Sequence, residues 1–148
     1  MKTRHFLKQV EHDRIVSAIA EAEKKTSGEL RVLIYHKRAE NAVAVAEEQF
    51  ARLKMHHTRH RNAVLILVAP LSHTFAIYGD RAVHEKCGES FWREVAAAME
   101  AYFRRGEFTD GIVHGVERAG QLLAEHFPRS PDDHNSLPNA VVDNGPVI

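Results

Sequence analysis

The strongest run of hydrophobic residues lies near the middle of the chain. Ala63–Ala69 is apolar at every position, so both faces of the strand that it predicts must be covered. A shorter apolar run, Thr74–Tyr78, follows the turn Pro70–His73 and ends at the turn signal Gly79-Asp80. Because parallel crossovers need about a dozen residues, this short connection predicts an antiparallel hairpin.

Before the central strand, apolar residues recur first at helical and then at strand spacing. We predict a helix over about Gln9–Lys25, a strand over Glu29–His36, and a helix from the cap residue Asn41 to about Met55. This strand–helix–strand order predicts two parallel strands with a right-handed crossover. Polar residues on one face of the first strand favour a place nearer the sheet edge.

After the hairpin the pattern is helical. Arg81–Gly88 predicts an irregular or short helical stretch, and a helix begins at Glu89 or Ser90 and ends at the stop signal Arg104–Gly106. A last helix, capped by Thr109, runs to the next proline. The predicted fold is an α/β class, three-layer α/β/α sandwich in the order α-β-α-β-β-α-α, with a mixed sheet formed by a βαβ unit and a hairpin.

The predicted domain spans residues 1–128. Residues 129–148 carry three prolines and no periodicity, which predicts a disordered or loosely docked tail. The alternative is a peptide strapped across the surface by Ala140–Val142.

Composition narrows the function classes. The chain has 20 basic residues (lysine and arginine) and 20 acidic residues (aspartate and glutamate). The formal net charge is therefore zero and gives no support for nucleic-acid binding. The single cysteine excludes an internal disulfide and fits a reducing compartment. No run approaches the ~20 apolar residues of a transmembrane segment, and Met1–His12 is too polar for a signal-peptide core. We therefore expect a cytoplasmic protein.

Polar residues from distant parts of the chain are expected at one end of the sheet. The first and second strands begin there and the third, antiparallel strand ends there. The candidate ligand-binding cleft comprises Glu29, Arg61, Asn62, Gly79, Asp80, Arg81 and Glu85. One interpretation is a site for an anion or a metal–phosphate. The other is an ion-pair network that closes the sheet end, with Arg61 and Arg81 against Glu29 and Asp80.

Three other residue types invite a chemical interpretation. His56 and His60 have a spacing that suits zinc on a helix, but the cationic surroundings favour a solvated basic loop. Cys87 follows Lys86 and precedes a helix, which would activate a thiol, although a small semi-buried residue is the alternative. Trp92 is either a core residue or a wall of the cleft.

Four spaced segments carry a family resemblance: Glu23–Glu29, Thr58–Asn62, Ile77–Asp80 and Phe103–Ile112. In this order and spacing, the chain resembles the TPM domain family over about Val10–Phe127. The resemblance implies an α/β/α sandwich. It also implies a function linked to membrane-complex maintenance or photosystem repair, with some members described as acid phosphatases and some as binding calcium or other divalent ions.

The resemblance is imperfect at the site. The family pattern after the third strand is Gly-x-Gly-Leu-Glu, whereas here Gly79 is followed by Asp80 and Arg81, and Glu85 fits only with a gap. The candidate metal ligands are Asp80, Glu85 and Glu29, and the aspartate that follows in the family pattern has no counterpart here. Calcium prefers six to eight oxygen ligands, and this segment offers few of them among opposing cations. We expect no cofactor, with calcium or another divalent ion as the alternative that the family implies.

The leading hypothesis is a non-catalytic accessory module that binds a ligand or an unknown protein partner at the cleft edge. The resemblance makes a membrane-associated complex one candidate partner. The alternative is a metal-dependent, acid phosphatase-like hydrolase that uses Asp80, Glu85 and Glu29 with Arg61 as the phosphate clamp. A third hypothesis is a structural scaffold whose tail binds.

Overall fold

Strands and helices alternate in the first half of the chain, and helices dominate the second half. The computed structural model describes residues 10–129 and 141–143. The elements are α1 (His12–Glu23), β1 (Glu29–Ile34), α2 (Ala42–Arg52), β2 (Ala63–Ala69), a short 3₁₀ turn (Pro70–Ser72), β3 (Thr74–Gly79), α3 (Arg81–Cys87), α4 (Glu89–Arg104), α5 (Phe108–His126) and β4 (Val141–Asp143).

The strands form one mixed sheet in the order β3-β2-β1-β4. β1 and β2 are parallel with Glu29 opposite Ala63, and β2 and β3 are antiparallel with Val64 opposite Gly79. The βαβ unit and the hairpin are therefore confirmed. As a result, the start of β1, the start of β2 and the end of β3 lie at the same end of the sheet.

Helices cover both faces of the sheet. On one face, Phe50 of α2 packs in a cluster with Leu33, Leu65 and Leu67. On the other face, α1, α4 and α5 bury their apolar stripes against Val32, Ile66 and their neighbours. Every residue of β2 is buried, as expected of a strand covered on both sides. The three-layer α/β/α sandwich is thus the observed fold.

Strand β1 differs from the expectation that it lies near an edge. β4 pairs with it in parallel, from Val32 opposite Val141 to Ile34 opposite Asp143. This pairing puts β1 inside the sheet. Residues 130–140 and 144–148 lie outside the described residues. The predicted disordered or loosely docked tail and the domain boundary at residue 128 therefore stay predictions.

The predicted cap of the last helix is wrong. α5 begins at Phe108 with Glu107 as its N-cap, and Thr109 lies inside the first turn. The hydroxyl of Thr109 instead accepts a hydrogen bond from the backbone N–H of Glu11 at 3.0 Å. Thr109 therefore joins α5 to the start of α1, which a local sequence pattern does not reveal.

Candidate functional site

Arg61 and Asp80 form an ion pair at the sheet end where β2 begins and β3 ends. Arg61 Nε donates to Asp80 Oδ2 at 2.6 Å and Nη2 donates to Oδ1 at 2.8 Å. The backbone N–H of Asp80 donates to the carbonyl of Ala63 at 2.9 Å, which extends the hairpin by one bond. This two-point geometry is the strong, directional form of an arginine–carboxylate contact.

Asp80 is also the N-cap residue of α3. Its Oδ1 accepts the backbone N–H of Arg81 at 2.8 Å, while the N–H of Ala82 donates to the carbonyl of Arg61 at 3.1 Å. Burial alone would raise the pKa of the Asp80 carboxyl. The hydrogen bonds from Arg61 and Arg81, helped by the charges of Arg61 and His56, outweigh burial and lower that pKa. The carboxylate is therefore ionised and already held by three donors.

Glu29 and Asn62 reach the same end of the sheet but are buried. Glu29 is 3 % exposed and Asn62 is 1 % exposed. Asn62 Nδ2 donates to Ser27 Oγ at 3.0 Å, which ties the start of β2 to the segment before β1. Both residues belong to the packing of the sheet end, and a ligand in solvent does not reach them without rearrangement.

Glu23, at the end of α1, is a buried acid beside this site that the sequence did not single out. Its Oε2 accepts the backbone N–H of Leu30 at 2.8 Å, and the residue is 2 % exposed. Burial raises the pKa of Glu23 to about 7, the Leu30 hydrogen bond opposes that rise, the nearby Glu29 adds to it and Arg129 reduces it. Two carboxyl groups, Glu23 and Glu29, thus lie in the interior behind the candidate cleft.

The remaining predicted site residues divide between packing and solvent. Gly79 is covered by the indole of Trp92, whereas Arg81 and Glu85 are exposed on α3. Within residues 10–129 and 141–143, no three His, Cys, Asp or Glu side chains are grouped so that they could hold a metal ion. Asp80 is paired with Arg61 and Glu29 is buried, so the three candidate ligands are not brought together as a group in this structure.

A row of rings lies around the end of β3, and sequence reasoning found only one of its members. His84 lies between Tyr78, at 6.4 Å between ring centroids, and Trp92, at 5.0 Å. Tyr78 and Trp92 are partly exposed and His84 is exposed. Burial, followed by the charges of Glu47 and Asp80, raises the pKa of Tyr78. We call Tyr78, His84 and Trp92 the aromatic face.

Two of the other chemical hypotheses receive no support. The rings of His56 and His57 pack at 4.1 Å, but no metal-capable group forms around them in the described part of the chain. Cys87 packs against the core, and burial raises the pKa of its thiol, with Glu125 adding to the rise and Lys86 opposing it. An activated nucleophile needs a lowered thiol pKa, so Cys87 is better described as a semi-buried packing residue.

Comparison with known proteins agrees with this architecture. The family model described as TPM domain matches residues 1–122. The NMR structure of the BA42 protein from the psychrophilic bacterium Bizionia argentinensis is similar, with a TM-score of 0.84, 39 % identity, and coverage of 90 % of this chain and 92 % of that chain.

A more distant structure shares the fold alone. The solution NMR structure of the N-terminal domain of a protein from P. gingivalis has a TM-score of 0.57 and 14 % identity, with coverage of 77 % of this chain and 76 % of that chain. No curated protein matches the chain significantly.

Proposed function

The chain belongs to the TPM domain family, and we propose that it acts as a non-catalytic accessory module that binds a ligand or protein partner through the aromatic face and Arg61. The observation that carries this proposal is the solvent-accessible row of Tyr78, His84 and Trp92 at the sheet end where Asp80 holds the guanidinium of Arg61. Tyrosine, tryptophan and arginine are the residues most enriched among those that dominate binding energy at protein interfaces.

The bonding of Asp80 favours binding over hydrolysis. A phosphatase needs a metal or an activated nucleophile, together with cations that stabilise the phosphoryl group. Asp80 accepts hydrogen bonds from Arg61 and from the backbone of Arg81, so its carboxylate is already used inside the fold. Arg61 in turn is oriented by Asp80, which leaves a rigid surface cation and no free acid–base partner in this pair.

The alternative proposal is an acid phosphatase-like hydrolase. It is favoured by the name of the matching family model, which contains the word phosphatase. It is also favoured by the side chain of Arg61, which is 36 % exposed next to the exposed Arg81, because two adjacent cations can contact a phosphate. The acid candidates would be Asp80, Glu85 and Glu29, which would have to rearrange to act together.

The proposed partner is a protein, and a membrane-associated complex is the candidate that the family resemblance implies. In residues 10–129 and 141–143, no helix combines the length and apolar character that a membrane crossing requires. The balanced charge of the chain argues against nucleic acid as the partner. A cytoplasmic location stays part of the proposal.

One experiment separates binding from hydrolysis. The full chain is incubated with 4-nitrophenyl phosphate at pH 5 and 7, with calcium, magnesium or zinc, alongside the variants Asp80→Asn and Glu48→Gln. Glu48 is exposed on α2 and serves as the charge-matched control. We expect no turnover above buffer for any of the proteins. Metal-dependent turnover that is lost in Asp80→Asn and kept in Glu48→Gln would replace the binding proposal with the phosphatase.

An amide-shift titration with the same ions and phosphate gives the second readout. We expect phosphate to produce at most small shifts near Arg61 and Arg81, because Arg61 is already paired with Asp80. Large saturable shifts at Asp80 and Glu85 with calcium would contradict the assignment of Asp80 as a structural residue.

A further inference from the structure

A cavity of about 460 Å³ opens at the other end of the sheet, away from Arg61 and Asp80. Val68 and Ala69, at the carboxyl end of β2, form its floor together with Phe75 at the start of β3. In open α/β sheets, ligands bind in the crevice outside the carboxyl ends of the parallel strands. This cavity shares with such sites the carboxyl end of the parallel strand β2, and its other strand residues come from the start of the antiparallel β3, whereas the Arg61–Asp80 site lies at the amino ends of β1 and β2.

Three phenyl rings give the cavity its character. Phe75 packs edge-to-face on Phe103 with 5.3 Å between ring centroids, and Phe103 lies 6.1 Å from Phe108. All three rings line the cavity and are partly exposed. Small-molecule sites have this composition: mostly apolar and aromatic walls with a few polar groups, in volumes of roughly 300–1,000 Å³.

The apolar surface continues around the β2–β3 turn. An adjoining cavity shares His73, Thr74 and Phe75 with the first and is also lined by Val43 of α2. Val43 is 58 % exposed, the one large hydrophobic residue so exposed in residues 10–129. Contiguous exposed apolar surface marks interaction sites more often than single exposed side chains do.

Charged groups stand at the rim of the phenyl-lined cavity. Arg104 Nη2 contacts Glu100 Oε1 at 2.6 Å, one helical turn away on α4, and the side chain of Arg104 is 77 % exposed. Glu100 lines the same cavity, and because an exposed pair of this kind contributes little, an incoming anion can share the Arg104 guanidinium with it. His73 is a second basic side chain at the rim, at the turn that separates the two cavities.

We propose that this cavity binds a small monocarboxylic acid with an aromatic or aliphatic body. The body packs among Phe75, Phe103 and Phe108, and the carboxylate pairs with Arg104. The inference goes beyond the partner-binding function proposed above, because the two sites lie at opposite ends of the sheet.

The test titrates the isotope-labelled full chain with 3-phenylpropionate, its neutral analogue 3-phenylpropanol and its cationic analogue 3-phenylpropylamine. We expect saturable amide shifts at Val68–Phe75 and Phe103–Phe108 with the acid, weaker binding of the alcohol, and the weakest binding of the amine. Shifts at Tyr78, His84 and Trp92 report the aromatic face separately. A negative result at the cavity therefore does not bear on partner binding at the aromatic face.

Matched variants of α4 test the role of the cation. Arg104→Gln should weaken binding of the acid about fivefold, as expected of one exposed ion pair, and leave binding of the alcohol unchanged. Arg93→Gln removes the other exposed arginine of α4 that pairs one turn away, with Glu89 at 3.2 Å, and should change neither affinity. Absence of saturable shifts around the cavity, binding of the amine as tight as that of the acid, or equal effects of the two variants would each overturn the proposal.

Discussion

Trp92 packs against Gly79 so closely that a Cβ atom on Gly79 would lie 2.4 Å from Cη2 of the indole. The same Cβ would lie 3.1 Å from Val83 Cβ. The contact joins the end of β3 to the first turns of α4 and fixes the indole at one end of the aromatic face. The absence of a side chain at Gly79 is therefore what lets the indole of Trp92 pack on the end of β3, where Trp92 also contacts the core.

Gly79→Ala should displace the indole. We expect a loss of about 1–3 kcal/mol in the free energy of unfolding, the usual range for overpacking, because Val83 has little room to give. Trp92 is the only tryptophan, so its emission reports this site alone and should shift to longer wavelength. Ser90→Ala, on the exposed side of the same helix, is the control. Unchanged emission and stability in Gly79→Ala would refute the contact.

The Asp80 carboxyl should make stability depend on pH at the acid end. Its pKa lies below the ordinary value of 3.8 in the folded protein. Its stabilising contribution is therefore fully present above that value and is lost as the pH falls through the lower folded pKa. Urea unfolding of wild type and Asp80→Asn from pH 3 to 7 should show a difference that shrinks towards acid pH. A difference independent of pH would contradict the ion-pair assignment.

Glu23 should give the free energy of unfolding the opposite pH dependence, in the range below and around neutral pH. Its pKa rises from 4.5 to about 7 on folding, so the folded state holds the proton more tightly and stability falls as the pH rises through that window. The expected loss from this group between pH 4 and pH 8 is about 3 kcal/mol. Glu23→Gln retains an acceptor for the Leu30 N–H and should flatten the profile. If the free energies of unfolding of wild type and Glu23→Gln change with pH in parallel across this range, Glu23 ionises normally and the prediction is wrong.

The central strand should be the most sensitive element. Ile66 is fully buried, so Ile66→Ala should cost about 2–5 kcal/mol in the free energy of unfolding. Val43→Ala removes two carbons from a side chain that is 58 % exposed and should change stability by less than about 0.5 kcal/mol. Chemical denaturation of both variants checks this contrast, and similar losses would contradict the covered position of β2.

Much of the fold could be predicted because its signals are local. The apolar run Ala63–Ala69 predicts a strand that is covered on both faces, and the turn after it is too short for any connection but a hairpin. From those two facts, the meeting of Arg61 with Asp80 follows by strand direction alone. β4 was not predicted as a strand because pairing over three residues leaves no strand periodicity, although the alternative of a docked peptide at Ala140–Val142 overlaps it.

The details of the site depend on how the helices pack, which periodicity does not encode. The contact of Trp92 with Gly79 and the position of His84 between two rings are set by where α3 and α4 lie against β3. Glu23 looks like an ordinary surface acid, since exposed charged residues surround it in the sequence. In the structure its carboxylate accepts a hydrogen bond from the backbone N–H of Leu30, and no local sequence pattern predicts that contact.

Partner binding through the aromatic face is tested most directly by comparing three baits: the wild-type chain, His84→Asp, and His114→Asp as the control. Both histidines are exposed, and His114 lies on α5 with its ring against Tyr102. We expect a protein that is retained by wild type and His114→Asp, is lost from His84→Asp, and shifts the amides of Tyr78, His84 and Trp92 when it is added to the labelled chain. Equal retention by all three baits, or shifts that centre elsewhere on the domain, would contradict partner binding through the aromatic face.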